Sequence, residues 1–266
     1  MTRAYIAGVA IWGPGLEGWE ASRPILAGYQ AYVLRDSPPP PPAFLSSNER
    51  RRAGIVTRLA LKVANDATAQ AGLPPASLRS VFGSSNGDAI IVNDIIDAVT
   101  TGARPVSPTQ FHNSVHNAAA GYWSIATRSH QPATCVGGHD FTFAAALLKA
   151  VAEATVEDEP ALLCVYDVPC PDPLGRKRTT QGVFGVGLVL TPDRTATASA
   201  RIDIAYAQGA PSPRQVDPLQ AALVPLSRSN PAAQALRLLE LLAGGRDGGC
   251  ALPYLESRLD LTVTSC

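Results

Sequence analysis

The sequence is short of several features that would assign a protein to a class at once. Its 22 basic residues equal its 22 acidic residues, so no net charge draws it to nucleic acid or to an anionic membrane. It has no run of about eighteen apolar residues, the length a helix needs to cross a bilayer. Met1–Ala4 leads into a strand-like segment instead of a signal-peptide core. These absences predict a cytoplasmic protein with neither nucleic acid nor membrane among its partners.

Metal-binding and redox motifs are also missing. The five cysteines are Cys135, Cys164, Cys170, Cys250 and Cys266. Their number is odd, and they lack the paired spacing of a zinc site or a redox dithiol, which predicts free thiols in a reducing compartment. His112 and His116 are four residues apart, but no third ligand has a helpful spacing. The sequence therefore predicts no metal and no cofactor.

The remaining composition is that of an ordinary globular domain, with 46% hydrophobic and 17% charged residues. Apolar runs and turn signals predict strands at Ala4–Ala10, Ser80–Ser85, Ala133–Cys135, Ala161–Tyr166, Val183–Leu190 and Arg201–Tyr206, with a further edge strand at Leu259–Val263. Helices are predicted at Leu16–Ala27, from Ser47 to Gly72, and at Ala89–Thr100, Asn113–Arg128, Asp140–Ala154 and Pro231–Leu242. This alternation predicts a mostly parallel sheet with helices on both faces.

The segment Gln131–Asp140 carries the first candidate site. It puts Cys135 at the end of a strand, followed by small residues and an apolar helix, the order of a nucleophile elbow. Gly137, Gly138 and His139 form the predicted turn. Backbone N–H groups and the dipole at the start of the following helix would lower the pKa of a thiol there. The catalytic candidate is therefore Cys135.

Two segments resemble a known family. The Cys135 segment is similar to the active-site cysteine segment of β-ketoacyl synthases, and Ser107–Trp123 resembles a small ketosynthase-like family found with aryl polyene pigment synthases, in which a member serves as the chain-length-factor subunit. The resemblance covers residues 4 to 206. It implies a thiolase-like fold, with a five-stranded N-terminal ketosynthase half over residues 1–206 and a C-terminal extension, 207–266, packed on the same domain as a cap.

Ketosynthases take two histidines, or a histidine and an asparagine, from their C-terminal half to decarboxylate the extender and stabilise the charge that forms. Here all four histidines precede residue 140, and roughly 60 residues follow Tyr206, too few for a second half. The resemblance therefore implies a non-condensing subunit of the chain-length-factor type. It would pair with a complete ketosynthase, or with itself, and work with an acyl carrier protein in type II aryl polyene biosynthesis.

The resemblance also gives the long His/Asn motif a role, because in the thiolase architecture this helix and the strand before the elbow lie at the dimer interface. The residues expected in this structural or interface network are Phe111, His112, Asn113, His116, Asn117, Tyr122 and Trp123. Arg176, Lys177 and Arg178 would either contact an acidic carrier protein or form a solvated loop.

Other functions stay open at this point. Cys135 is either a reactive thiol or a small residue retained at a tight turn. A stand-alone acyltransferase or thioesterase would use Cys135 as acyl acceptor and His112, His116 or His139 as base. A homodimeric scaffold on the same fold would use the apolar strands and the aromatic helix at its two-fold contact.

Overall fold

The computed structural model describes residues 2–102 and 105–266. Its strands are β1 (Thr2–Gly13), β2 (Leu16–Glu17), β3 (Arg79–Gly83), β4 (Ala133–Val136), β5 (Ala161–Asp167), β6 (Phe184–Thr191), β7 (Ala200–Gln208), β8 (Gly248–Tyr254) and β9 (Ser257–Ser265). Its helices are α1 (Trp19–Leu26), α2 (Ser47–Arg52), α3 (Ile55–Ala71), α4 (Ala89–Thr101), α5 (Pro108–Asn113), α6 (Ala118–Thr127), α7 (Thr142–Val156), α8 (Pro213–Val216), α9 (Val224–Ser229) and α10 (Leu236–Gly244).

All the described strands join one sheet in the order β4-β3-β5-β6-β1-β7-β9-β8, with β2 paired to β1. The predicted five-stranded unit corresponds to β4, β3, β5, β6 and β1. Of these, β4, β3, β5 and β1 run in one direction and β6 runs against them, because β6 pairs antiparallel with both β5 and β1. The α/β fold class is confirmed. The strand count is corrected, since β7, β9 and β8 continue the same sheet with antiparallel pairings.

Helices cover both faces of the sheet, as the alternating pattern predicted. The first face packs on α3 and α6, around the fully buried Phe82, Tyr166 and Trp123. The second face packs on α7 and α10. The helix predicted at Asp140–Ala154 is α7, which begins at Thr142 and buries most of its apolar residues.

Close backbone contact explains two glycines under α3. A Cβ on Gly8 of β1 would lie 2.1 Å from the Ala67 carbonyl oxygen, and one on Gly187 of β6 would lie 2.3 Å from that of Val63. Real Cβ atoms do not approach a carbonyl so closely. The glycines therefore let the helix rest directly on the sheet.

The C-terminal extension adds sheet as well as helix. The predicted edge strand Leu259–Val263 is β9, but β9 lies between β7 and β8, so β8 forms the edge. Pro253 in β8 has no N–H to offer along that edge, and α8 packs against β8. The buried Glu240 carboxylate of α10 accepts hydrogen bonds from the backbone N–H groups of Leu219 and Gln220, which fixes the preceding loop.

Two predicted helices are interrupted. The helix predicted from Ser47 to Gly72 is divided into α2 and α3 at Ala53, whose backbone is extended. The helix predicted at Asn113–Arg128 begins at Ala118, and Asn113 is instead the last residue of α5. Ser107 caps α5 and Pro108 occupies its first turn, a start signal that the apolar pattern alone did not reveal.

One helix is apolar yet lies largely on the surface. Of the thirteen residues of α4, Ala89 and Ala98 are buried, whereas Ile96 and Val99 are 56% and 69% exposed. On the neighbouring α5, Phe111 is 67% exposed. Exposed apolar side chains on neighbouring helices are typical of an interaction surface.

Within the described residues, no helix is both long enough and apolar enough to span a membrane.

Candidate functional site

A cluster of polar groups lies at the carboxyl ends of β3, β4 and β5. Because β3, β4 and β5 are parallel neighbours, their carboxyl ends lie side by side, followed by Ser84, Gly137 and Val168. Functional sites of open α/β sheets form at the carboxyl ends of the strands, where the loops begin.

A turn after β3 encloses a buried carboxylate at the end of β5. Asp167 Oδ1 accepts hydrogen bonds from the Ser84 hydroxyl (3.0 Å), the Ser85 N–H (2.9 Å) and the Asn86 N–H (3.2 Å). Asp167 Oδ2 is buried and has no hydrogen-bond partner among the described residues. Burial outweighs these hydrogen bonds and raises the pKa of Asp167 to about 7.

Arg178 connects three loops at the carboxyl ends of these strands. Its guanidinium donates to Asn86 Oδ1 at 3.1 Å, to Ser85 Oγ at 2.6 Å and to Asp140 Oδ1 at 2.5 Å. The side chain is 19% exposed, so it lies inside the cluster. Of the three basic residues expected either to contact a carrier protein or to form a solvated loop, Arg178 is bound within the domain, while Arg176 and Lys177 are exposed.

His116 joins the same cluster. Its Nε2 lies 2.9 Å from the carbonyl oxygen of Ser84, which places the ring beside the end of β3 and 3.6 Å from where a Cβ on Gly137 would lie. The second glycine of the turn is more confined, since a Cβ on Gly138 would lie 3.2 Å from Thr142 Cα.

Cys135 lies inside the strand and not at the turn. It is the third residue of β4, opposite Phe82 of β3, and α7 begins at Thr142. Burial raises the pKa of the Cys135 thiol above its ordinary value, opposite to the lowering expected from a helix start. Among the described residues no histidine is hydrogen-bonded to this thiol. Its catalytic role stays a prediction, and these features do not favour it.

The rest of the His/Asn motif forms a network around α5 and α6. The buried Asn113 side chain donates to the Arg52 carbonyl oxygen at 2.9 Å and accepts from the Tyr122 hydroxyl at 3.1 Å. The His112 ring stands edge-on to Tyr122, with centroids 6.2 Å apart. Asn113 and Tyr122 therefore join α2, α5 and α6.

The other members of the motif divide between core and surface. Trp123 is buried against Phe44, with ring centroids 6.3 Å apart, while Phe111 and Asn117 are exposed. A cavity of about 370 Å³ opens beside His112 and Tyr122, between Glu49, Arg52 and Ile125. Within the described residues, no group of three or more His, Cys, Asp or Glu side chains is arranged to hold a metal ion.

Sequence reasoning missed the Asp167 cluster. A signal was present, because the wholly apolar run of β5 ends in an acidic residue, and Ser84, Ser85 and Asn86 follow β3 directly. Residues at the carboxyl ends of neighbouring parallel strands lie close together.

The parallel strands, the helices on both faces and the polar loops at the strand carboxyl ends define a thiolase-like α/β protein. The model of the β-ketoacyl synthase N-terminal domain matches residues 27–236, most of the chain. The chain belongs to this family. In a direct sequence comparison, no curated protein matched it.

Solved structures of the same fold include complexes. One is a ketosynthase in complex with its chain length factor from Xenorhabdus doucetiae, matched with a TM-score of 0.72 and 16% identity over 98% of this chain and 99% of that chain. A β-ketoacyl synthase from Burkholderia phymatum STM815 gives a TM-score of 0.73 and 12% identity over the whole of both chains.

A third neighbour is a type II polyketide synthase acyl-carrier protein in complex with its ketosynthase bound to the hexaketide. Its TM-score is 0.72, with 12% identity over 100% of this chain and 99% of that chain. At these identities the likeness establishes the fold.

Proposed function

We propose that this chain is a ketosynthase-like subunit of the chain-length-factor type, which pairs with a complete β-ketoacyl synthase and does not itself catalyse condensation. The pathway we assign is type II synthesis of an aryl polyene on an acyl carrier protein. Support comes from family membership, from fold neighbours described as ketosynthase complexes, and from the His/Asn motif of Ser107–Trp123.

Two observations carry the pairing proposal, namely an exposed apolar helix face and an unpaired strand edge. Among the described residues β4 pairs with β3 alone, so its other edge is free to pair with another chain. The exposed apolar face of α4 begins a few residues after β3, the strand next to β4. A partner that covers both would bury Ile96, Val99 and Phe111 while satisfying the backbone groups of β4.

Support for a non-condensing role comes from the positions of the histidines. Decarboxylation of an extender needs a histidine pair, or a histidine and an asparagine, opposite the elbow. The histidines here are His112, His116, His130 and His139, and all four precede residue 140. His116 is engaged by a backbone carbonyl, which leaves it fixed beside β3.

Pairing is tested with a complete ketosynthase from the same genome, co-expressed with this chain and analysed by size-exclusion chromatography with light scattering. We expect a one-to-one heterodimer. Ile96→Glu should weaken it by about tenfold or more, because a charge would be buried in the apolar contact. The control is Val156→Glu, which changes an equally apolar residue, 79% exposed, at the end of α7.

Two outcomes would contradict the proposal. A chain that stays alone in the presence of the ketosynthase would exclude the pairing, and a chain that forms only a dimer of itself would favour the homodimeric scaffold. Loss of the heterodimer in Val156→Glu as well as Ile96→Glu would remove α4 as the contact.

A further inference from the structure

His139 has a backbone conformation that sets it apart. Four non-glycine residues among those described have positive φ, namely Arg128, His139, Asp158 and Leu255. Arg128 and Asp158 follow helix ends and Leu255 lies in the β8–β9 hairpin, where such angles are common. His139, with φ of 52°, lies between a strand and a buried helix. A strained residue at a strand-to-helix turn is the mark of a nucleophile elbow.

The surrounding turn holds this conformation in place. The Gly138 N–H donates to the Thr142 hydroxyl at 3.0 Å, and that hydroxyl donates to the His139 carbonyl oxygen at 2.7 Å. A side chain at position 138 would crowd the start of α7, since a Cβ there would lie 3.2 Å from Thr142 Cα. The backbone therefore presents residue 139, and not residue 135, at the start of the helix.

Two neighbouring side chains at this turn can act together. The His139 imidazole is a base, and the Asp140 carboxylate lies where it can orient the ring. The His139 ring is 70% exposed, and its Nδ1 lies 3.3 Å from Asp140 Oδ2. The other carboxylate oxygen, Asp140 Oδ1, accepts from Arg178 Nη1 at 2.5 Å, and the Asp140 carbonyl oxygen accepts from Gln234 Nε2 at 2.6 Å. A carboxylate fixed in this way favours the tautomer with the proton on Nδ1, which leaves the Nε2 lone pair free.

We propose that His139 is a catalytic general base, with Asp140 as its positioning residue, for the hydrolysis of small acyl thioesters at this elbow. Nε2 takes a proton from water as the water oxygen bonds to the thioester carbonyl carbon. The carbon–sulfur bond of the tetrahedral intermediate then breaks, and the imidazolium returns the proton to the leaving thiolate. Water and thioester become carboxylic acid and thiol, with no other reactant.

This activity is separate from pairing and does not use Cys135. The thiol lies within β4, four residues before His139, and is partly buried. Water is the nucleophile that an exposed imidazole can reach. The role inferred for this elbow is thus removal of an acyl group from its carrier thiol.

The test measures hydrolysis of the N-acetylcysteamine thioester of acetate by the full chain. Glycine accepts positive φ without cost, so His139→Gly removes the imidazole and keeps the turn. We expect its rate to fall at least about tenfold, within the range that general bases contribute. Imidazole added to the buffer should restore the rate of His139→Gly more than it raises that of the unmodified chain.

Two matched variants act as controls. His130→Gly removes another exposed histidine, from the turn before β4, and Cys135→Ala removes the thiol. Both should hydrolyse the thioester at the unmodified rate. If His139→Gly does so too, or if His130→Gly loses as much, the proposal is overturned. If Cys135→Ala alone is inactive, the cysteine hypothesis replaces it.

Asp140→Asn tests the positioning residue. Arg178 donates to Asp140 Oδ1, so in the variant the amide oxygen would stay beside Arg178 and the NH₂ group would face His139 Nδ1. This favours the tautomer with the proton on Nε2. The ring ¹⁵N resonances of His139 should change from the Nδ1–H to the Nε2–H pattern, and the hydrolysis rate should fall. An unchanged tautomer would overturn the positioning role. Heterodimer formation should be normal in both elbow variants, which separates this proposal from the pairing proposal.

Discussion

Asp167 carries an electrostatic cost within the folded chain. With a pKa of about 7 in the native state and an ordinary value of about 4 in the unfolded chain, it keeps its proton longer when folded. As pH rises from about 4 to 7, the unfolded chain ionises first, so the free energy of unfolding falls across this interval. Above pH 7 the carboxylate is charged in both states and the penalty is complete.

Asp167→Asn should remove that dependence. The amide oxygen can accept the same three hydrogen bonds as Oδ1, and its NH₂ group replaces the unpartnered Oδ2, so a neutral buried donor takes the place of a buried charge. We expect the variant to exceed the unmodified chain in stability at pH 8 by ~1–3 kcal/mol, and to lose the decline between pH 4 and 7. Urea unfolding at a series of pH values measures both.

Asp172→Asn is the comparison, because this carboxylate is 66% exposed and paired with Arg176. It should leave the decline intact. If Asp167→Asn still loses stability between pH 4 and 7, another group is responsible.

The position of the turn after β4 is the feature that the sequence predicts least well. The small residues around Cys135 predict an elbow at the cysteine, but β4 continues past it to Val136, and the residue with positive φ is His139. The pattern of small and apolar residues does not fix where a strand ends within three or four positions. The backbone hydrogen bonds of Gly138 and Thr142 decide this, and they are visible only in three dimensions.

At the scale of elements, the contact between α3 and the sheet depends on glycine. Gly187→Ala would push a methyl group against the Val63 carbonyl, and neither backbone can move without disturbing β6 or α3. We expect a loss of ~1–3 kcal/mol in the free energy of unfolding, measured by denaturant titration.

Gly121→Ala provides the matched control. This glycine is inside α6, and a Cβ there would have no heavy atom within 4 Å. Alanine should stabilise the helix by ~0.5–1 kcal/mol. A Gly187→Ala variant as stable as the unmodified chain would mean that α3 shifts readily on the sheet.

Most elements were predictable from the sequence because long apolar runs such as Ala161–Tyr166 and Val183–Leu190 match β5 and β6 closely. The β8 strand was not predicted. Its segment contains Gly248, Gly249 and Pro253, residues that disfavour strands, and it is held by β9 and α8 instead of its own propensity. Contacts that are distant in sequence determine such elements.

At the scale of the whole molecule, we propose that residues 1–206 and 207–266 fold as one unit, as the predicted cap implies. The core on the second sheet face includes Leu236, Leu239, Leu261 and Val263 from the extension, together with residues of β1 and α7. The extension also covers the outer edge of β7 through β9.

Ending the chain after Tyr206 should therefore abolish stable folding. The fragment would expose an apolar sheet face and the unpaired edge of β7, and we expect it to aggregate or to lose cooperative unfolding in circular dichroism. The full chain should unfold in a single transition. A soluble fragment with a native-like spectrum and sharp melting would make residues 207–266 a separate module.

The two edge strands of the sheet, β4 and β8, differ in whether they can pair with a further chain. A sheet in which both edge strands are unpaired can add copies without limit, as a fibre does. Here the β8 edge carries Pro253 and packs against α8, while the β4 edge is unpaired among the described residues. In the pairing proposed above, addition through the sheet would use the β4 edge and occur once, because Pro253 and α8 obstruct the β8 edge.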